Sequence, residues 1–295
     1  MAETKYGHLV KGISFQDYGL GPYKQRTIMT AEYLGIDVNV EIGTYGTAGR
    51  MGKEPFESVV HDYNEVMVWL GADTNDLSEL GAEVELCLGE EKERRMIASS
   101  SAVLIPKGLP HLPATIMRMN KPFLFMKFSM AKELKSTPVL LDKKPGELVG
   151  WQSKYGNLIS HLTFARKAAW HYGPANPDDS GGSIAVFNGK DFDFTLMCES
   201  IKKAPYRFGP TPDKPHMHPY DEFGISLGAD TKDLSVLGAE SETGMGPEME
   251  RHVITKPTVV ILPKDVLHGP LAITKLDKPI IFLIVKPYGA GTSAH

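Results

Sequence analysis

His61-Asp-Tyr-Asn-Glu65 returns 157 residues later as His218-Pro-Tyr-Asp-Glu222, and the shift then holds without a gap. Leu70-Gly-Ala-Asp-Thr74 matches Leu227-Gly-Ala-Asp-Thr231, and Leu80-Gly-Ala-Glu83 matches Leu237-Gly-Ala-Glu240. Pro106-Lys107 falls on Pro263-Lys264, and His111 falls on His268. About 30 of the 65 positions between 61 and 125 are identical to their partners, several-fold above chance at a fixed offset. Solenoid and propeller units repeat every 20–50 residues or so, so a period this long marks a duplicated domain. The predicted division is 1–140 and 141–295. The join is placed around 134–150, where Leu134-Lys-Ser-Thr-Pro138 and Asp142-Lys-Lys-Pro-Gly146 read as linker or turn.

Each copy carries strand signals. Ala102–Ile105, Phe123–Met126, Thr258–Leu262 and Ile280–Val285 are short apolar runs, largely β-branched or aromatic, punctuated by Pro, Gly or Lys-Pro. Asp37–Ile42 and Asp191–Leu196 alternate polar and apolar residues, as half-buried strands do. The polar stretches 71–83 and 228–240 read as turns or a short helix. Gly (29) and Pro (21) make up about 17% of the 295 residues against an average near 12%, which adds turns and favours an all-β fold. Short strands at regular spacing suggest a sandwich or barrel in each half.

The formal charge of −4 argues against nucleic acid, whose phosphates call for a basic face. No apolar run approaches the roughly 20 residues that span a bilayer, and the N-terminus lacks the order of a secretion signal. Two cysteines, Cys87 and Cys198, are too few for a disulfide framework and suit a reducing, cytoplasmic setting.

His216-Met-His218-Pro-Tyr-Asp-Glu222 places two histidines two residues apart and a glutamate four beyond the second. On a strand, residues i and i+2 share a face, so His216 and His218 would point together into a barrel. His268 follows a strand and a turn. Three imidazoles and a carboxylate can hold a divalent metal and leave positions open for substrate, water or oxygen. The set suits Fe or Mn, with Zn or Ni also compatible.

These residues resemble the cupin superfamily, whose two motifs read His-x-His-x(3–4)-Glu and Pro-x-Gly-x-x-His. The second copy matches the first motif at His216, His218 and Glu222, and the second motif at Pro263 and His268, with Asp265 where the pattern has Gly. The first copy matches the second motif at Pro106, Gly108 and His111. It keeps His61 and Glu65, but Val59 stands where the leading histidine belongs. The resemblance covers both halves, as in bicupins, and implies two tandem jelly-roll β-barrels, each able to carry a metal. His61, Glu65 and His111 form either a two-histidine, one-carboxylate site or relics in a barrel that only packs. The expectation is a degenerate first site and a working second one, with a homodimer as a secondary expectation.

Beyond the ligands, Tyr220 (repeated as Tyr63), Arg251 (repeated as Arg94) and His252 are candidate catalytic residues. Tyr220 would otherwise support a ligand. Arg251 would grip a substrate carboxylate or lie exposed beside Glu250, and His252 would move a proton or lie at the surface. The loop around His171 and the approach Arg207–Pro215 are candidates for lining the entrance. The expected function is a metal-dependent enzyme cleaving a C–C bond in a small oxygenated substrate, of dioxygenase or decarboxylase type. The alternatives are redox-neutral hydrolase, lyase or isomerase chemistry, and a non-enzymatic ligand-binding bicupin.

Overall fold

The computed structural model describes residues 4–18, 22–51, 58–141, 153–165, 169–170, 173–174, 181–189, 192–208 and 214–288. These residues form two compact units, each built on two antiparallel sheets. The first unit comprises 15–72 and 77–162; the second comprises 1–14, 73–76 and 163–295. No helix is long and apolar enough to cross a membrane.

In the first unit, a seven-stranded sheet runs Ile159–His161, Ser101–Ile105, Glu65–Gly71, Phe123–Ser129, Asn39–Tyr45, Tyr23–Met29 and Gln16–Asp17. A second sheet runs Ser136–Val139, Ser58–His61, His111–Met119, Ala82–Leu88 and Glu93–Ile97. The second unit repeats the plan. Its six-stranded sheet runs Val10–Gly12, Thr258–Leu262, Glu222–Gly228, Ile280–Lys286, Phe194–Ile201 and Ile184–Gly189. Its four-stranded sheet runs Tyr206–Phe208, His268–Leu276, Ala239–Met245 and Glu250–Ile254.

The apolar runs form the strands the sequence predicts, and the 157-residue offset reappears in the pairing. Met67 lies opposite Val103 and Gly224 opposite Val260, while Leu86 lies opposite Ala114 and Thr243 opposite Leu271. Stretches 71–83 and 228–240 contain turns and no helix. Asp265, the departure from the glycine of the second motif, takes φ 62°, close to the 80° of Gly108. Aspartate is among the few residues that tolerate this left-handed conformation, so the turn survives the exchange.

Two features differ from the sequence reading. Residues 134–150 contain the strand Ser136–Val139, paired with Ser58–His61, as well as connecting chain; residues 142–150 lie outside the described set. The compact units also do not follow the 1–140 and 141–295 division. Strand Val10–Gly12 pairs with Thr258–Leu262 in the second unit, and Ile159–His161 pairs with Ser101–Ile105 in the first. Each of these strands follows a single 3-10 turn, in Tyr6-Gly-His-Leu9 and Tyr155-Gly-Asn-Leu158. Tyr6 packs on Gly246 and Tyr155 on Gly89, where a Cβ would collide with the ring. The leading strand of each repeat therefore completes the other repeat's sheet. This correspondence runs at an offset of 149, outside the gap-free register.

Candidate metal centres

The same backbone device holds the candidate ligands in both units: a glutamate opens one strand and a histidine opens the strand of the opposing sheet. Glu65 begins Glu65–Gly71 and His111 begins His111–Met119; Glu222 begins Glu222–Gly228 and His268 begins His268–Leu276. The connecting turns match. Lys107 N–H donates to Asn64 Oδ1 and Lys264 N–H to Asp221 Oδ1, both at 2.9 Å. Gly108 N–H donates to the His61 carbonyl at 2.9 Å and Asp265 N–H to the His218 carbonyl at 2.8 Å.

In the second unit, His216, His218 and His268 converge, each offering a ring nitrogen within 4.8 Å of the others. His216 sits on a single bridge to His268, not on a regular strand; their backbones exchange hydrogen bonds of 2.9 and 2.8 Å. The alternation still operates, because Met217 between the two histidines is exposed while His218 is buried. Glu222 adjoins the group through His218, with Oε2 3.7 Å from Nε2. His268 Nδ1 bonds the Val266 carbonyl at 2.8 Å, which turns its buried Nε2 inward, and that atom has no hydrogen-bond partner among the described residues.

In the first unit, His61, Glu65 and His111 are all buried and equally close. Glu65 Oε1 lies 3.8 Å from both His61 Nε2 and His111 Nε2. Ligand atoms tetrahedrally placed about 2.1 Å from one ion are roughly 3.4 Å apart, so the set is slightly wide but of the right scale. The outer atoms are anchored: His61 Nδ1 to Ser136 Oγ at 2.9 Å, His111 Nδ1 to the Leu109 carbonyl at 3.1 Å, and Glu65 Oε2 to Ser129 Oγ at 2.8 Å. Glu65 Oε1 and His111 Nε2 are buried with no hydrogen-bond partner among the described residues. Unpaired buried atoms of a neutral-N, anionic-O set aimed at one point are what a divalent cation satisfies. Both clusters fit such an ion. Burial lowers the pKa of His61 to about 4 and also lowers that of His111, against the opposing pull of Glu65, so both rings are neutral and ligand-ready. Val59, opposite His111 in the pairing, occupies the place of the missing fourth ligand.

Around the ligands the units diverge. In the first, charges alternate outward from Glu65. Lys127 Nζ is 3.9 Å from Glu65 and 3.5 Å from Glu41, and Glu41 accepts from Arg26 and from Tyr23 at 2.8 Å each. Burial opposes the Lys127 charge, but Glu65 and Glu41 outweigh it and raise its pKa. In the second unit Ile284 replaces Lys127, and buried Lys286 stands where the first has Ser129. Its Nζ donates to Tyr220 Oη at 2.8 Å, and burial lowers its pKa to about 8.

A cavity of about 60 Å³ adjoins His216, Glu222 and His268 in the second unit. Its other walls include Phe208, Leu271, Phe282 and Ile284, with Ser226 and Thr243 supplying hydroxyls. The corresponding interior of the first unit is filled by Met67, Trp69 and Leu86.

Of the three candidate catalytic residues, Tyr220 lies against a ligand, its ring stacked on His218 at 4.9 Å and 6°, as Tyr63 stacks on His61 at 4.7 Å and 8°. Arg251 lies on the outer face, 66% exposed and paired with Glu242. His252 Nε2 is 2.8 Å from Glu250, whose carboxylate also accepts the backbone N–H of Lys5 and Tyr6. Neither lines the cavity. His171 and residues 209–213 of the entrance segment lie outside the described residues, whereas Phe208 of that segment forms a cavity wall. The sequence reading missed Ser136, Ser129, Lys127 and Lys286. For Lys286 a signal existed: it continues the i, i+2 face of Phe282 and Ile284 at the end of a strand.

Two β-barrels in one chain, each with a histidine–glutamate cluster, define a bicupin fold. No family model and no curated protein matches the chain. Among solved structures, a variant of Bacillus subtilis oxalate decarboxylase is similar over 95% of this chain and 77% of its own, at 10% identity and TM-score 0.59. Vicilin from hazelnut, Corylus avellana, is similar over 97% of this chain and 86% of its own, at 11% identity and TM-score 0.57. These likenesses establish the fold alone, a bicupin arrangement of two tandem β-barrels.

Proposed function

We propose that the protein is a metal-dependent enzyme whose second barrel carries the chemistry, cleaving a C–C bond in a small oxygenated substrate. The observation that carries this reading is the cavity beside His216, Glu222 and His268. His216, His218, Glu222 and His268 would hold the ion, Fe or Mn by preference. Such a centre supplies Lewis acidity toward a substrate oxygen and, for a redox-active ion, access to oxygen chemistry. The chain's own residues do the rest. Val266 and Tyr220 fix the faces of His268 and His218, and the apolar walls exclude water from the reacting atoms. Tyr220 acts as a positioning residue, backed by Lys286. The name of oxalate decarboxylase among the similar structures favours decarboxylase over dioxygenase chemistry only as analogy.

For the first barrel, the filled interior supports a structural role, with or without an ion at His61, Glu65 and His111. Elemental analysis of the purified protein, with oxygen uptake and carbon dioxide release measured on the same sample, tests the reading. Iron with substrate-dependent oxygen consumption selects a dioxygenase, and anaerobic carbon dioxide release a decarboxylase. Anaerobic turnover without carbon dioxide selects hydrolysis or isomerisation. Protein free of divalent metal, with His268→Ala indistinguishable from wild type, would sink it.

A further inference from the structure

We propose that the second barrel selects an oxygen-chelating ligand that carries a short apolar chain, in preference to a bare dicarboxylate such as oxalate. The inference rests on the reading of His216, His218, Glu222 and His268 as a metal centre and adds what lies opposite it. Three substitutions between the repeats open the cavity: Gly224 stands for Met67, Ser226 for Trp69 and Thr243 for Leu86. The pairing register of both barrels confirms these equivalences. A fourth acts beside the ligands, where Gly269 stands for Leu112. Leu112 and Gly269 share nearly the same left-handed φ, 82° and 86°, and at Gly269 a Cβ would touch the His216 ring at 3.6 Å, so the loss of the leucine side chain leaves this side of the histidine open.

The space so opened is polar at one end and apolar at the other. The ligand residues border one end; Phe208, Leu271, Phe282 and Ile284 wall the remainder, with Ser226 and Thr243 as hydroxyl contacts. A water requires roughly 10–15 Å³ of such space, so about 60 Å³ accommodates roughly four to six water-sized groups. The head of a 2-oxo acid, two carbons and three oxygens, fills about five such groups at the end that borders the ligands, so the rest suits one added carbon. Oxalate has no atoms to cover the four apolar side chains. A 2-oxo acid or 1,3-dicarbonyl enolate with a short alkyl group has them, and each buried methylene should strengthen binding about fourfold.

The test is calorimetry under anaerobic conditions on the protein as purified, with its metal content measured. The probes are glyoxylate, pyruvate, 2-oxobutanoate, 2-oxopentanoate and oxalate. Affinity is expected to rise about fourfold from glyoxylate to pyruvate, the step that the cavity holds, to level off or fall for the longer chains, and at its best to exceed that for oxalate. Ser226→Trp, which installs the first barrel's residue, should abolish the rise while metal content stays unchanged. Thr243→Leu makes the same test if the larger replacement does not fold. A flat series, oxalate as the tightest ligand, or a rise that survives both filling variants would overturn the inference while leaving the metal centre in place. Metal content unaffected by His268→Ala would instead remove the centre, and the inference with it.

Discussion

The two barrels share strands, turns and the anchors of their histidine–glutamate clusters, yet large side chains occupy the interior of one where a cavity adjoins the cluster of the other. Met67, Trp69, Leu86 and Leu112 in the first barrel become Gly224, Ser226, Thr243 and Gly269 in the second. The exchange of Val59 for His216 goes in the same direction, adding a ligand where space is added. Charge moves the opposite way: Lys127 and its cross-strand neighbour Glu41, which continue the charged row outward from Glu65 in the first barrel, are replaced in the second by Ile284 and its cross-strand neighbour Met197. A duplicated fold thus separates two demands. Close packing stabilises one copy, and the second has smaller side chains around its histidine cluster and a cavity beside it.

The comparison breaks most visibly if the wrong barrel carries the activity. His268→Ala should abolish turnover and remove its metal, because it deletes a member of the set that the cavity adjoins. His111→Ala should lose any metal held by His61 and Glu65 yet leave turnover within a few-fold of wild type. Metal analysis and activity on the same preparations decide it. Turnover lost in His111→Ala but kept in His268→Ala would move the chemistry to the first barrel.

Trp69 is fully buried and packs against Phe125 with ring centroids 5.2 Å apart. Trp69→Ser should destabilise the first barrel by about 3–5 kcal/mol, the range for truncating a large buried aromatic side chain. Ser226→Ala in the second barrel should stay within about 1 kcal/mol, since little packing is lost there. Denaturant unfolding followed by tryptophan-independent circular dichroism measures both. Equal costs would show that the second barrel is as tightly packed as the first.

The charged row gives a smaller effect. Lys127→Met leaves Glu41 and Glu65 with less compensation in a largely buried setting. With the lysine side chain 28% exposed, solvent screens part of the loss, and about 2 kcal/mol of destabilisation is expected. Ile284→Met, the same replacement at the equivalent place, should cost less than about 1 kcal/mol. A Lys127→Met protein as stable as wild type would mean that the row adds no stability.

The repeat made much of this legible. Ligand types at fixed spacing and a gap-free offset led to the barrels, to the paired clusters and to the absence of a fourth ligand at Val59. What escaped was carried by residues whose meaning is tertiary. Ser136 reads as linker in Lys135-Ser-Thr-Pro138 and becomes the partner of His61 only through the pairing of Ser136–Val139 with Ser58–His61. The exchange of leading strands was hidden because Tyr6-Gly7 and Tyr155-Gly156 correspond at an offset eight residues shorter than the main one. Arg251 beside Glu250 reads either as a grip on substrate or as an exposed residue, and strand alternation decides for the second by turning it outward to Glu242.

The smallest expected effect is on pH dependence, and it isolates the first cluster. Burial holds His61 at about 4, below its ordinary value of 6.5, and lowers His111 in the same direction. Between pH 6.5 and 4 the unfolded chain therefore binds more protons than the folded one. The contribution of neutral His61 is fully present above pH 6.5 and is lost as pH falls toward 4. In metal-stripped protein this loss should amount to about 2 kcal/mol, allowing for partial screening of a shift worth roughly 1.4 kcal/mol per pKa unit. Carboxylates titrate over part of the same range, so the informative quantity is the difference between wild type and His61→Gln, which removes the titrating ring. The variant should show a shallower decline in unfolding free energy from pH 7 to pH 4.5. Restoring metal should steepen the wild-type curve, because protons then compete with the ion for the same nitrogens. Parallel curves for wild type and His61→Gln would mean that this histidine is not held neutral by burial, and that the first cluster is looser than its geometry indicates.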